Sequence, residues 1–265
     1  MKAKALLSWA VASGGQQNFL GAPWVRRMVE VAPVRVQRRV ALWALSLSPH
    51  YFITGTNSDA EARRMATSRE QLVRELLAPH RHHGLDVLDL GCGPGYMASA
   101  ASKDAKHVYA LDISPGVLAC ARVLNAAPNI TYATPDAFTA SGRQVDLAYS
   151  IAVAQHLSDD VLRQVLGSLR TWLRPGGRLL MHVVLDAPGW RTEAEWRQDT
   201  SLTGRLRLRH GLNCFSRTED AMRALVQAAG FEDVRIEPLS YLTDHADAVS
   251  AQHLLTARNP NGGAV

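Results

Sequence analysis

Three glycines and two aspartates carry the clearest chemical signal in this sequence. Gly91, Gly93 and Gly95 stand at alternate positions in VLDLGCGPGY, residues 87–96. Asp89 sits just ahead of the loop, and Asp112 follows 23 residues later. Glycines at such spacing let the backbone turn tightly and come close to a ligand. A carboxylate at the end of the next strand can accept two hydrogen bonds from a ribose diol. A dinucleotide fingerprint would put its third glycine at position 96, which is Tyr96, and no Lys-Ser/Thr pair follows to cradle a phosphate. The pattern therefore points to a nucleoside-bearing ligand held without a phosphate loop.

Such a loop works only between a strand and a helix, and the flanking sequence supplies both. DVLDL (86–90), HVYALD (107–112), NITYA (129–133), VDLAYSI (145–151) and RLLMHVV (178–184) read as strands, and VRIEPLS (234–240) and AQHLLTA (251–257) as two more. Between them, Ser114-Pro115 opens one helix and Ser158 another, which runs to about Leu173. Pro175-Gly176-Gly177 is expected to turn the chain, and Ser216 with Glu219 to cap a later helix. Alternating strands and helices predict an α/β fold with a doubly wound parallel sheet. The two strands at the C-terminus, with no helix between them, predict an antiparallel edge. Ligands of such sheets bind at the carboxyl ends of the strands.

Ahead of this lies a different texture. Residues 34–47 predict an amphipathic helix with Val36, Val40, Trp43 and Leu47 on one stripe and Arg35, Arg38 and Arg39 on another. A second helix is expected over 59–78. Residues 1–50 hold seven basic residues and one acid, Glu30, so +6 of the net +5 belongs here and the remaining chain carries about −1. The core is thus no basic nucleic-acid platform. The stripe suits a cap packed over the site; contact with an anionic membrane surface through 34–47 is the less favoured use. Three cysteines (Cys92, Cys120, Cys214) without CxxC spacing predict neither a disulfide framework nor a zinc site, and no apolar run approaches a membrane span. MKAKALLSWAVASG has a short, Ser8-interrupted apolar core that is a poor signal peptide, so a cytoplasmic location is expected.

Residues 85–185 resemble the core of a class I S-adenosylmethionine-dependent methyltransferase, of the broad small-molecule kind often called type 11 or type 25. LDLGCGPG is similar to the first motif of that family and ALDIS (110–114) to the second. TPDAF (134–138), VDLAYSIAVAQHL (145–157) and LRPGGRLL (173–180) are similar to those that follow. The resemblance implies a Rossmann-like seven-stranded sheet with its last strand antiparallel, and S-adenosylmethionine as cofactor. It implies that Gly91, Gly93 and Gly95 pack on the methionine part and that Asp89 supports its amino end. Asp112 would hold the ribose, with Ile113 against the adenine. Asp136 would meet the adenine amino group, the Ala137 amide a ring nitrogen, and Ser150 with Ile151 the methionine chain. Tyr51 or Phe52 is the candidate aromatic that closes over the cofactor.

Methyl transfer to a hydroxyl needs a base, and His156, just past the fourth strand, is the candidate; the alternative is a loop histidine that shapes the pocket. His182 reads as packed core. Asp186, His245 and Asp247 lie at strand ends but lack metal-ligand spacing. The domain reading is a helical cap over 1–58, a methyltransferase domain over 59–258 with a lid near 187–215, and a tail from 259. Arg205, Arg207 and Arg209 read as a solvated edge or as lid residues meeting an anionic acceptor. The expected activity is methylation of a hydroxyl or amine on a small-molecule acceptor. Alternatives are a membrane-associated lipid or quinone precursor as acceptor, and a non-catalytic cofactor-binding partner protein. The acceptor, the atom methylated and the oligomeric state are not specified by these residues.

Overall fold

The computed structural model describes residues 20, 22–48, 51, 58–80, 82–202, 204–205, 208, 213–239 and 251–260. Of the sequence candidates, Phe52, Arg207, Arg209, His245 and Asp247 lie outside these, as does the segment 1–19.

Seven strands form one mixed sheet: β1 (Asp86–Leu90), β2 (His107–Leu111), β3 (Ile130–Ala133), β4 (Val145–Ser150), β5 (Leu173–Val184), β6 (Glu232–Pro238) and β7 (Gln252–Arg258). Their order is β3-β2-β1-β4-β5-β7-β6. Strands β1, β2 and β3 pair in parallel, as do β4 and β5, whereas β7 is antiparallel to both β5 and β6. The last strand is antiparallel as expected, but it slots between β5 and β6 and leaves β6 at the edge. The chain divides into two compact units, one built on residues up to Ala140, the other on Ser141–Leu208 and from Asn213 onward.

In the first unit, DVLDL is buried along its whole length, Asp89 included, as a central parallel strand must be. Its helices are α1 (Pro23–Val31), α2 (Val34–Leu45), α3 (Ser58–Leu76), α4 (Tyr96–Ala101), α5 (Pro115–Leu124) and α6 (Pro135–Ala140). Ser114 caps α5 as predicted, its hydroxyl accepting from Val117 N–H at 3.4 Å. Helices α1 and α2 pack on α5 through Val25, Val29, Ala41, Leu42, Val117 and Cys120. The approach is close: a Cβ on Gly116 would stand 2.1 Å from Leu20 O. One expectation is overturned here. The buried face of α2 is Ala41, Leu42, Ala44 and Leu45; of the predicted stripe, Val40 packs against that core and Leu47, just past the helix, is buried, while Val36 and Trp43 are 39% and 44% exposed. Small side chains win because they let two helix axes come near, and Cys120 Sγ reaches Ala41 O at 3.7 Å.

In the second unit, α7 (Asp159–Trp172) buries Leu162, Leu166, Leu169 and Trp172 and is capped by Ser158. Strand β5 begins earlier than predicted. Leu173 already pairs with Val145 and Arg178 with Leu147, so Pro175-Gly176-Gly177 forms a bulge inside the strand, not a turn before it. Asn259 pins that bulge: its amide donates to Leu173 O at 2.8 Å, and its carbonyl accepts from Gly176 N–H at 2.9 Å. Helix α8 (Glu193–Gln198) lies in the predicted lid and opens on a Thr192/Glu195 capping box. Helix α9 (Glu219–Ala228) is capped by Thr218, not by Ser216, since the Thr218 hydroxyl accepts from Ala221 N–H at 3.2 Å.

Candidate functional site

The first unit holds the glycine loop. Gly91, Gly93 and Gly95 all take positive φ (77°, 52° and 83°), a conformation strained for other residues. The loop is anchored from β2, because Gly91 and Cys92 N–H both donate to Leu111 O. Gly95 has a second reason to lack a side chain: a Cβ there would lie 2.3 Å from the Tyr132 hydroxyl. That hydroxyl donates to Asn125 O at 2.7 Å, and Asn125 Nδ2 donates to Pro94 O at 2.7 Å. Arg122 completes the brace by donating to Tyr132 O at 2.7 Å. Sequence reasoning missed this brace; the one signal for it was a tyrosine in a short strand, whose buried hydroxyl needs a partner.

Asp112 joins loop and strand end. One carboxylate oxygen accepts from Gly93 N–H at 3.1 Å and the other from Ser114 N–H at 2.8 Å. Burial raises its pKa from 3.8 to about 6, against those two hydrogen bonds, which lower it. Each oxygen retains a second acceptor position, which is what a vicinal diol requires. Tyr51 lies over the loop, 3.4 Å from where a Gly93 Cβ would be. Burial, and then the Asp112 charge, hold its phenol well above the ordinary range, so it stays protonated. Beside Asp112, Ile113 is 64% exposed, an unusual setting for isoleucine and a suitable one for an aromatic ring to cover. Asp136 and Ala137 are exposed at the start of α6, where the Ala137 amide donates to Thr134 Oγ1 at 3.3 Å. Asp89 is buried in β1.

The second unit holds Ser150 and His156. Ser150 ends β4 and is buried opposite Met181. The chain then turns on Ala152, a non-glycine residue at φ 58°. His182 fixes that turn: its Nδ1 accepts from Ala152 N–H at 3.2 Å, so its Nε2–H donates to Gln252 Oε1 at 3.2 Å. Burial lowers the His182 pKa to about 4. It is the packed residue expected, and also the polar link between β7 and the β4 turn.

His156 ends a 3-10 turn, Ala154–His156. Its Nδ1 donates to Asn213 O at 3.0 Å, which leaves the ring's lone pair on Nε2. Burial lowers its pKa, partly opposed by that bond, so the imidazole is neutral at pH 7. Cys214 Sγ stands 3.6 Å from Nδ1, and burial pushes its thiol up to about 11, so no thiolate competes for the proton. Arg217, not singled out in the sequence, holds the 3-10 turn. Its guanidinium donates to Ala154 O at 3.2 Å, to Leu157 O, and to Asp159 Oδ1 at 2.7 Å. Its own carbonyl accepts from Asp186 N–H at 2.9 Å, at a second left-handed residue, φ 46°. Strained turns thus follow both β4 and β5 and are fixed by specific partners.

The segment expected to be a lid bears an open depression of about 320 Å³ lined by Trp190, Arg191, Trp196, Asp199, Ser201 and Cys214 among others. Arg191 pairs with Asp199 at 3.0 Å and stacks 5.1 Å over the Trp196 ring. Arg205 is exposed. Among the described residues, no group of three or more His, Cys, Asp or Glu could hold a metal ion, and no helix is long and apolar enough to cross a membrane.

Solved structures share this architecture. A magnesium protoporphyrin IX methyltransferase from Synechocystis PCC 6803 matches with TM-score 0.52 and 20% identity, over 73% of this chain and 82% of that one. An O-methyltransferase family protein from Burkholderia thailandensis matches with TM-score 0.54 and 15% identity, over 85% and 60%. At such identity they speak for the fold alone, and that fold is the class I methyltransferase fold. The methyltransferase domain family profile matches residues 60–236, and the chain belongs to that family, whose cofactor is S-adenosylmethionine. Among named relatives, a malonyl-[acyl-carrier protein] O-methyltransferase of Pectobacterium atrosepticum is 31% identical over 140 residues, 53% of this chain and 53% of that protein. A ubiquinone biosynthesis O-methyltransferase of Dinoroseobacter shibae is 30% identical over 111 residues, 40% and 44%. The chain spans about half the length of these relatives. The residues of the first unit fit the cofactor: a positive-φ glycine cradle, a carboxylate with spare acceptor positions and an exposed Ile113 stand together.

Proposed function

We infer that the protein transfers a methyl group from S-adenosylmethionine to a hydroxyl of a small-molecule acceptor. Gly91, Gly93, Gly95 and Asp112 would hold the cofactor, with Asp89, Ile113, Asp136 and Ala137 around it. The cofactor supplies a methyl already activated by a sulfonium. What remains for the chain is to orient the acceptor and take its proton. The observation that carries the hydroxyl is His156. Its ring is neutral, its tautomer is set by Asn213 O, and Arg217 holds its turn, the arrangement a general base needs. Cys214 beside it also lines the depression that holds Trp190, Arg191 and Trp196. The Dinoroseobacter shibae relative is by its name a ubiquinone biosynthesis O-methyltransferase, which supports oxygen as the acceptor atom; a malonyl group offers a carboxylate, which needs no base, so the Pectobacterium relative does not bear on the hydroxyl.

Rates measured against pH test this. His156→Ala should lower methyl transfer by roughly 10²- to 10⁴-fold while cofactor affinity stays nearly constant. The wild-type rate should rise with pH through a pKa below 6.5, and that limb should vanish in the variant. A variant that keeps most of its rate would return His156 to shaping the pocket and move the acceptor to an amine.

A further inference from the structure

Helices α1 and α2 carry an outward face on which large apolar side chains stay partly exposed. On α1, Val25 and Val29 are buried, and Trp24, Arg27 and Val31, spaced by three and four residues, share the exposed side. On α2, Val36, Arg39 and Trp43 repeat the same spacing on the side away from Ala41, Leu42, Ala44 and Leu45. Trp24 is 50% exposed, Val31 69%, Val36 39% and Trp43 44%, with Val34 at 87% between the stripes. Elsewhere in the described chain, large apolar side chains stand out only at Ile113, Val161 and Leu202. Each stripe therefore sets an arginine among apolar residues with a tryptophan at one end.

The nearby acids are paired outside the stripes. Glu30 takes Arg26 at 2.8 Å, and Asp59 takes Arg38 at 2.9 Å. Arg35 adds an exposed cation.

We propose that this two-helix surface docks the protein on an anionic lipid membrane. Trp24, Val31, Val36 and Trp43 enter the headgroup boundary, and Arg27 and Arg39 meet lipid phosphates. Tryptophan favours that boundary, and amphipathic helices that carry arginine lie in it. Charge complementarity selects this occupant. A second copy of the chain would set Arg27, Arg35 and Arg39 against one another in a two-fold contact, where like charges repel.

Co-sedimentation of the full chain with vesicles tests the proposal, using phosphatidylcholine alone and phosphatidylcholine mixed with phosphatidylserine. Binding should require phosphatidylserine and weaken in high salt. Each arginine near an anionic surface is worth about fivefold in partitioning, so Arg27→Gln with Arg39→Gln should lower it roughly 25-fold. Trp24→Ala with Trp43→Ala should weaken it separately in protein that still melts cooperatively, and the arginine pair should melt and bind cofactor like the wild type, because those two side chains are exposed. Absence of binding to either vesicle overturns the proposal, as does equal binding to both or indifference to both variant pairs. A concentration-dependent dimer that tightens when the arginines are removed would assign the face to a second copy instead. Stoichiometric capture of an acidic protein, lost in the glutamine pair, without vesicle binding, would assign it to that partner.

Discussion

Asp112 gives a prediction in which ligand binding and apo stability move in opposite directions with pH. Its carboxylate is held by Gly93 and Ser114 N–H, and its pKa stands at about 6 through burial. The ionised form is the one that accepts two ribose hydrogen bonds. Below pH 6 the apo protein must therefore lose a proton to bind, and affinity for S-adenosylhomocysteine should be about tenfold weaker at pH 5 than at pH 7.5. Stability of the apo fold runs the other way. The folded value lies above the unfolded one of 3.8, so between these the folded state binds more protons. Stability then rises as pH falls from 6 to 4, by about 3 kcal/mol in full. In Asp112→Asn one acceptor becomes a donor. Binding at pH 7.5 should weaken by roughly 10- to 150-fold, the worth of one charge-assisted hydrogen bond, and lose its dependence on pH between 5 and 7.5. Titration calorimetry at pH 5, 6 and 7.5 reads this directly. Wild-type affinity that stays flat across this range, or Asn affinity equal to wild type, would refute the assignment of Asp112 to the ribose.

Two further residues give separate tests. His182 has a folded pKa near 4, below the ordinary 6.5, so its contribution is present above pH 6.5 and is lost as pH falls toward 4, by about 3 kcal/mol. His182→Leu should remove that dependence and cost roughly 2–4 kcal/mol at pH 7.5 by stranding Ala152 N–H and Gln252 Oε1, as urea unfolding will measure. Arg217→Ala should destabilise by about 3 kcal/mol, mostly through the abandoned Ala154 and Leu157 carbonyls, since Asp159 is well exposed. Arg217→Lys, which cannot span all three acceptors, should fold and yet slow transfer with little change in cofactor affinity.

The strands and the glycine loop were legible because their causes are local. Five consecutive buried residues in β1, a proline at the first position of α5 and glycines at positive φ each leave a mark within a few positions. Val36 and Trp43 of α2 were misread for a physical reason. The helix has two apolar sides, and periodicity cannot tell which one meets a neighbour; close approach to α5 selected the alanine side. The partners of His182 and Arg217 were out of reach because their contacts span 30 to 70 positions. Composition carries no trace of a hydrogen bond between Gln252 and a histidine two strands earlier in the chain. Thr218 took the cap from Ser216 although Glu219 stands at capping-box spacing from the serine, because the helix starts at Glu219 itself.

The cofactor cradle is tested most directly by equilibrium dialysis of the purified full chain against radiolabelled S-adenosylmethionine at pH 7.5. The expected result is one molecule bound per chain, displaced by S-adenosylhomocysteine and lost in Gly95→Ala, whose Cβ would strike the Tyr132 hydroxyl. Wild-type protein that is folded, by its circular dichroism and cooperative melting, and binds neither compound would contradict it.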